Sequence, residues 1–285
     1  MNYRHAYHAG NFADVLKHVV LCRILLHLRI KPAAFRVIDT HAGAGIYDLA
    51  GAEAGRTQEW RSGIGLLTKA ELDAPVRSLL APYLDAVAAM NPGGDIAVYP
   101  GSPALVQSML RPQDRLVACE LEPQAAAALA GHLRGDARCR AVAIDGWTAL
   151  NAYVPPKERR GLILIDPPFE QPGEFVRLSQ ALAAAHRKWP TGSYLLWYPI
   201  KDSAEVQGFL RRLVRLGIAK MLRIELTVAT SGAETGLRGS GLIAINPPWS
   251  LHDELKTLLP PLERVLSRSA ANRPVLEWIA GESVF

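Results

Sequence analysis

Near the amino terminus the apolar positions Phe12, Val15, Leu16, Val19 and Val20 recur at i, i+3, i+4, i+7 and i+8, which predicts an amphipathic helix over residues 12–30. Asn11 is placed to cap it, and Pro32 stops it soon after its last turn. The period then changes. Residues 35–39 (FRVID) form a short continuous apolar run, the pattern of a strand buried on both faces, and lead into the glycine-rich turn Asp39-Thr-His-Ala-Gly-Ala-Gly45. Residues 116–120 (LVACE), 141–145 (AVAID) and 162–166 (LILID) have the same form. Each run ends in an acid, as parallel strands with ligand-facing carboxyl ends would. Segments 123–133 and 175–189, rich in alanine and leucine, have helical length and alternate with these strands, which predicts a doubly wound α/β sheet. Residues 193–198, 221–228 and 241–246 are strand-like. A Gly/Ser/Thr-rich loop joins the last two, predicting an antiparallel hairpin at the sheet edge.

One spacing is out of place. In a dinucleotide-binding unit the acid of the second strand follows the glycine turn by about 20 residues, whereas Glu120 lies 81 residues beyond Asp39. The intervening stretch carries helix-like segments at 61–72 and 76–90 closed by Asn91-Pro-Gly-Gly94. It reads as an inserted helical subdomain over 47–98, between a first part of the core (1–46) and its remainder (99–285).

Composition agrees with a packed core: of 285 residues, 49% are hydrophobic and 21% charged, which excludes disorder and fibrous repeats. The net charge of +5 and pI near 9.2 point towards a polyanionic partner without naming one. The opening residues contain no stretch of signal-peptide character, and the most apolar run, 19–28, is broken by Arg23 and His27 and falls short of the roughly 20 residues a bilayer span needs. No membrane contact and a cytoplasmic location are expected. Cys22, Cys119 and Cys139 are odd in number and widely spaced, so neither disulfides nor a zinc site is expected.

The turn at 39–45 lacks the first glycine of a dinucleotide fingerprint and the Lys-Ser/Thr of a P-loop, and its close backbone suits an amino acid or nucleoside better than a triphosphate. Glu120 could accept both hydroxyls of a ribose cis-diol. Asp145 could take an adenine amino group, with Gly146 leaving room for the ring. Either acid alone is as readily an ordinary solvated strand end. Asp166-Pro-Pro-Phe169 says more: an apolar strand ends in an acid, two prolines stiffen the backbone, and an aromatic ring follows. Asp166 and the Pro167 carbonyl can both accept from one exocyclic NH2 while Phe169 offers a stacking face for a flipped base, an arrangement suited to amine methylation. Asn246-Pro-Pro-Trp249 fits the same pattern, but it closes the late hairpin, away from the central crevice, so Asp166 is preferred.

These residues resemble the large-subunit ribosomal RNA adenine-N6 methyltransferase J family. The likeness runs over Tyr3-Arg-His-Ala-Tyr-His-Ala-Gly-Asn-Phe-Ala-Asp-Val-Leu-Lys-His18, the turn at 39–45, Tyr99-Pro-Gly-Ser-Pro103, the segment from Arg159 through Asp166-Pro-Pro168, and Leu196-Trp-Tyr-Pro199. The resemblance implies a Rossmann-like class I methyltransferase core with an inserted helical subdomain, S-adenosylmethionine as methyl donor, no metal, and an adenosine of large-subunit (23S) RNA, naked or partly assembled, as acceptor. His18, His41, Ser102, Glu120, Asp145, Gly146 and Asp166 would line the donor pocket. Asp166, Pro167, Phe169 and Lys17 would be the catalytic set, with Tyr3, Arg4, His5 and Lys17 facing the substrate. On its own, Lys17 reads as solvated surface, and His5 with His8 as a metal pair that lacks a carboxylate. The sequence departs from the wider amino-methyltransferase pattern at Phe169, where Tyr is common; stacking survives, but a phenol hydrogen bond is lost.

Arg111, Arg115, Arg134, Arg159, Arg160, Arg211, Arg212, Arg215 and Arg238 could contact phosphates, and Arg238, in the loop between the last two strands, is the preferred RNA contact. The expectation is therefore an rRNA adenine-N6 methyltransferase acting as a monomer. Its rivals are an amine methyltransferase on DNA adenine or protein glutamine, and a catalytically silent RNA-binding protein.

Overall fold

A computed structural model describes residues 5–228, 237–267 and 273–281. After a 3-10 turn, His5–Tyr7, the chain forms α1 (Phe12–Ile30), β1 (Arg36–Asp39), β2 (Ile46–Asp48), α2 (Ala52–Thr57), α3 (Ile64–Leu67), α4 (Ala74–Ala89), β3 (Val98–Pro100), α5 (Ser102–Met109), β4 (Arg115–Glu120) and α6 (Pro123–His132). It continues through β5 (Cys139–Ala143), α7 (Gly146–Tyr153), β6 (Gly161–Ile165), α8 (Glu174–Lys188), β7 (Ser193–Ile200), α9 (Ser203–Arg215), β8 (Met221–Thr227), β9 (Gly239–Ile245), α10 (Leu251–Leu266) and β10 (Val275–Ala280).

Eight strands form one sheet in the order β10-β8-β9-β7-β6-β1-β4-β5. The β1–β4, β4–β5, β1–β6 and β6–β7 pairs are parallel, while β9 runs antiparallel between β7 and β8. The central strands β1, β4, β6 and β9 are buried on both faces, which is why they read as unbroken apolar runs. Leu162 and Leu164 of β6 enter the core on the side of α1, α5 and α10, while Ile163 and Ile165 enter the core on the side of α8 and α9. Each such fully buried side chain contributes about 1.5–3 kcal/mol.

Several expectations need correction. The β8–β9 hairpin is not at the edge: β9 is internal, and β8 is covered by β10, whose half-exposed residues gave no strand signal. Strand β5 sits two residues earlier than the apolar run suggested. The 61–72 segment is not one helix but a 3-10 turn, Glu59–Ser62, followed by the short α3. Helix α1 is not amphipathic. Its Asn11 cap accepts from the backbone N–H groups of Ala13 (2.9 Å) and Asp14 (3.1 Å), but every residue from Ala13 to Cys22 is buried, because α1 packs between the sheet, α4, α5 and α10.

Ile46, Tyr47 and Asp48 of β2 pair antiparallel with Pro100, Tyr99 and Val98 of β3, so the chain leaves and rejoins the core at one point. Between these strands, Gly63 lies against the amino-terminal segment so closely that a Cβ there would meet the Gly10 carbonyl oxygen at 2.1 Å. The Ile64 N–H donates to that same oxygen at 2.9 Å.

Candidate active site

All parallel strands end on one side of the sheet, and there the acids converge. A cavity of about 410 Å³ opens above β1, β4, β5 and β6, lined among others by His18, His41, Ser102, Glu120, Asp145, Gly146 and Asp166. A second cavity of about 450 Å³ adjoins it, lined by Phe169, Trp197, Asn11, Asp14 and Glu59 among others. The two share His5, Lys17, Asp166 and Pro168 in their walls.

Lys17 is the hinge of this arrangement. Far from being solvated, it is 4% exposed, ion-paired to Asp166 across the end of β6 and held by Asp14 Oδ1 at 2.8 Å. Burial pulls the Lys17 ammonium down, but the charges of Asp14 and Asp166 outweigh it and hold the group well above its usual value. Asp14 Oδ2 also accepts from the Gly10 N–H (3.0 Å) and pairs with His5 Nε2 (2.9 Å). Burial alone would raise the Asp14 carboxyl; His5, Lys17 and His18 bring it well below the usual carboxylate range. Behind them His18 Nδ1 meets the Tyr99 hydroxyl at 2.8 Å, and Tyr99 meets the Tyr83 hydroxyl at 2.9 Å. Burial lowers His18 to about 3 and keeps its ring neutral near pH 7.

The other strand ends are equally ordered. Glu120 Oε2 accepts from the Gly43 N–H, and its Oε1 accepts from Leu121 and Glu122, each at 2.8 Å. The glycine turn and the second strand are thus clamped together by the residue expected to receive a ribose. Gly43 has φ +62°, open to glycine at little cost, and a Cβ there would strike the Tyr47 hydroxyl at 2.0 Å. Ser102, the first residue of α5, donates to Asp39 Oδ2 at 2.6 Å. Burial pushes Asp39 up to about 7, against the effect of that hydroxyl. Burial also lowers His41 to about 4; its ring meets Trp147 edge-on at 5.2 Å.

Asp145 caps α7, its Oδ2 accepting from the Thr148 N–H at 2.9 Å. Gly146 makes room for something other than the sequence suggested: a Cβ there would meet the Thr40 carbonyl oxygen at 2.3 Å and His41 Cε1 at 2.7 Å. The glycine lets α7 pack against the turn after β1. Gly146→Ala is therefore expected to push that turn towards the first cavity and to weaken ligand binding there by about tenfold in isothermal titration.

Phe169 (φ +52°) packs against Phe175 at 4.8 Å and edge-on to Trp197 at 5.7 Å, and it lines only the second cavity. Pro167 is buried and is not among the residues lining either cavity. The rival motif lies elsewhere. Because β9 runs antiparallel, Asn246 emerges at the opposite end of the sheet, where its amide donates to the Pro190 and Gly192 carbonyls, each at 2.8 Å. Trp249 beside it is 84% exposed.

Arg238 sits at the start of β9, on the same side as Asp166; its backbone N–H donates to the Ile200 carbonyl at 2.9 Å. Three other candidate phosphate contacts are committed to backbone. Arg111 donates to the carbonyls of Arg29, Lys31 and Ala33, Arg160 to those of Ala33 and Leu28, and Arg115 to those of Pro112 and Asp114. They close the far end of the sheet. Tyr3 and Arg4 lie outside the described residues. Among the described residues no group of three or more His, Cys, Asp or Glu is placed to hold a metal ion, and no helix is long and apolar enough to cross a membrane. Sequence reasoning missed Asp14, Tyr99 and Trp197; the spacing of Asp14, Lys17 and His18 at i, i+3, i+4 was the available signal for the first.

A doubly wound sheet completed by an antiparallel hairpin, with acids gathered at the carboxyl ends of its central strands, defines a Rossmann-like α/β protein with its ligand crevice at those strand ends. Residues 32–280 match the family described as Ribosomal RNA large subunit methyltransferase D, RlmJ, and the chain belongs to that family. It is 38% identical over 282 residues to the Escherichia coli (strain K12) protein named Ribosomal RNA large subunit methyltransferase J, covering 99% of this chain and 100% of the relative. A Haemophilus influenzae protein of the same name is 37% identical over 283 residues, again covering 99% of this chain and 100% of the relative. A solved structure from Legionella pneumophila superposes with a TM-score of 0.88 at 35% identity, covering 97% of this chain and 99% of that one.

Proposed function

We propose that this protein transfers a methyl group from S-adenosylmethionine to N6 of an adenosine in large-subunit ribosomal RNA, in the cytoplasm. The observation that carries this reading is the wall shared by the two cavities: Asp166 and Lys17 stand between a site ringed by strand-end acids and a site lined by aromatic rings. The lining of the first cavity fits a cationic donor, since Glu53, Glu120, Glu122, Asp145, Asp166, Glu170 and Glu174 outnumber Lys17 and Arg177. His18, His41, Ser102, Glu120, Asp145, Gly146 and Asp166 are the residues that would hold it. When bound, it supplies an electrophilic methyl group.

The protein's own part is positioning and hydrogen bonding. An adenine N6 is conjugated and poorly nucleophilic. Phe169 and Trp197 offer the second cavity's aromatic faces to a flipped base. Lys17 occupies Asp166 Oδ2, leaving Oδ1 to accept one N6–H while the Pro167 carbonyl accepts the other. Two fixed acceptors draw the amine lone pair out of the ring plane and aim it across the shared wall. Asp166 accepts a hydrogen bond without serving as a full base: as the N6–CH3 bond forms the donor's S–CH3 bond would break, and the cationic methylated amine would then release one proton to solvent. Residues 47–98 form an inserted helical subdomain that, with the amino-terminal segment, covers the acceptor side.

The test is to incubate the protein with labelled S-adenosylmethionine and unmodified large-subunit RNA and to identify the product nucleoside by mass spectrometry. N6-methyladenosine in RNA is expected. Label in DNA or in protein glutamine, or donor binding without turnover on any substrate, would overturn the reading. Arg238→Glu is expected to weaken RNA binding and to lower the slope of log affinity against log salt by about 1, the loss of one phosphate contact, with donor affinity intact. Equal loss of both affinities would remove Arg238 from the RNA surface.

A further inference from the structure

Asp14 is 1% exposed and belongs to no strand end, yet its carboxylate gathers three donors from separate places: Lys17 Nζ at 2.8 Å, His5 Nε2 at 2.9 Å and the Gly10 N–H at 3.0 Å. Two of these partners, Lys17 and His5, line both cavities. We propose that Asp14 is the positioning residue of the acceptor site, holding the Lys17 ammonium against Asp166 and the His5 ring over the second cavity, so that methyl transfer depends on Asp14 acting through those two side chains. This inference rests on the second cavity being the acceptor site.

The argument is one of charge and anchorage. To tie down the amino-terminal segment, Asp14 would need only acceptors for Gly10 and His5, and a neutral amide oxygen would serve. A buried carboxylate is costly unless a cation answers it, and the cation here is Lys17. Asp166 alone could neutralise Lys17 but would hold it at a single point. With Asp14 as a second point the ammonium is fixed between two carboxylates, and one N–H remains for substrate. A misplacement of 1 Å at such a site costs about a hundredfold in rate. Lys17 is faced by Asp14 and His18 from α1, His5 from the amino-terminal segment, Asp166 from the end of β6, Asp39 from β1, Tyr47 from β2 and Tyr83 from α4. Of these, Asp14 and Asp166 are the anions in contact with the ammonium, so neutralising Asp14 leaves it more easily deprotonated.

The experiment is a double-mutant cycle of Asp14→Asn, Lys17→Ala and the pair, read as kcat on RNA and as donor affinity, with the Lys17 titration followed by NMR in protein carrying labelled lysine. Asp14→Asn is expected to lose about a hundredfold in kcat with unchanged donor affinity. The double variant should be slower than Lys17→Ala by far less than the Asp14→Asn loss, the small remainder being the His5 part, and the Lys17 signal should titrate at lower pH than in wild type. Losses that multiply in the double variant, or a wild-type kcat in Asp14→Asn, would overturn the proposal. Should Asp14→Asn fail to fold, Asp14→Glu keeps the charge but moves it by one methylene: a lowered kcat with an unmoved titration is expected, and a full kcat overturns the proposal. If wild type leaves RNA unmethylated, the functional reading has failed. The lysine titration, which needs no RNA, still decides whether Asp14 governs Lys17.

Discussion

Asp166→Ala is expected to lower kcat for methyl transfer to RNA by between about a hundredfold and a thousandfold, the usual cost of removing one preorganised group aimed at developing charge. Donor binding should survive, because Glu120, Asp145 and Ser102 line the first cavity from elements other than β6. Single-turnover quench measurements with saturating RNA isolate the chemical step. Asp166→Asn is the sharper variant. Its amide has one oxygen, and Lys17, pressed against Oδ2 in wild type, would take it. The NH2 would then face the substrate's own NH2, donor against donor, so Asn is expected to rescue little. An Asn enzyme near wild-type rate would show that any acceptor at this strand end suffices and that the link to Lys17 is idle.

The strand-end acids were legible because nothing but the chain's own pattern is needed to see them. Glu120 and Asp166 each close or follow a run buried on both faces. Asp166 lines both cavities and Asn246 neither, for a reason the sequence could not show. The deciding fact is the direction of β9, which sends Asn246 to the Pro190–Gly192 turn at the far end of the sheet. What the pattern hid is tertiary in origin. Asp14 and Lys17 look like the wet face of an amphipathic helix until α4, α5 and α10 close around it. β10 alternates too weakly to declare itself, with Glu277 and Trp278 both exposed, and β2 is three residues whose partner lies beyond the insertion. Gly146 illustrates the same limit at one position: the sequence reports that space is needed, and the structure shows that the Thr40 carbonyl fills it.

Lys17→Met should carry the largest stability cost of any side-chain change in the site. Removing the cation leaves Asp14, 1% exposed, as a buried anion opposite the partly exposed Asp166 across an apolar thioether, and stripping one partner from a buried ion pair costs about 3–5 kcal/mol. The pH dependence identifies the cause. In wild type the Asp14 carboxyl is held below its unfolded value, so its contribution is present above pH about 3.9 and is lost only as pH falls through the lower folded value. Lys17 is held above its unfolded value, so its contribution is full below pH about 10.4 and is lost as pH rises through the higher folded value. Wild-type stability from this pair should therefore be flat between those limits. In Lys17→Met the burial of Asp14 is no longer answered by the ammonium and its carboxyl is pushed upwards, so urea midpoints should fall furthest below wild type at pH 7–9 and recover towards it as pH approaches 4. A deficit that stays constant from pH 9 to pH 4 would point to packing around the methionine, and would mean that the ammonium contributes its volume to α1 and not its charge.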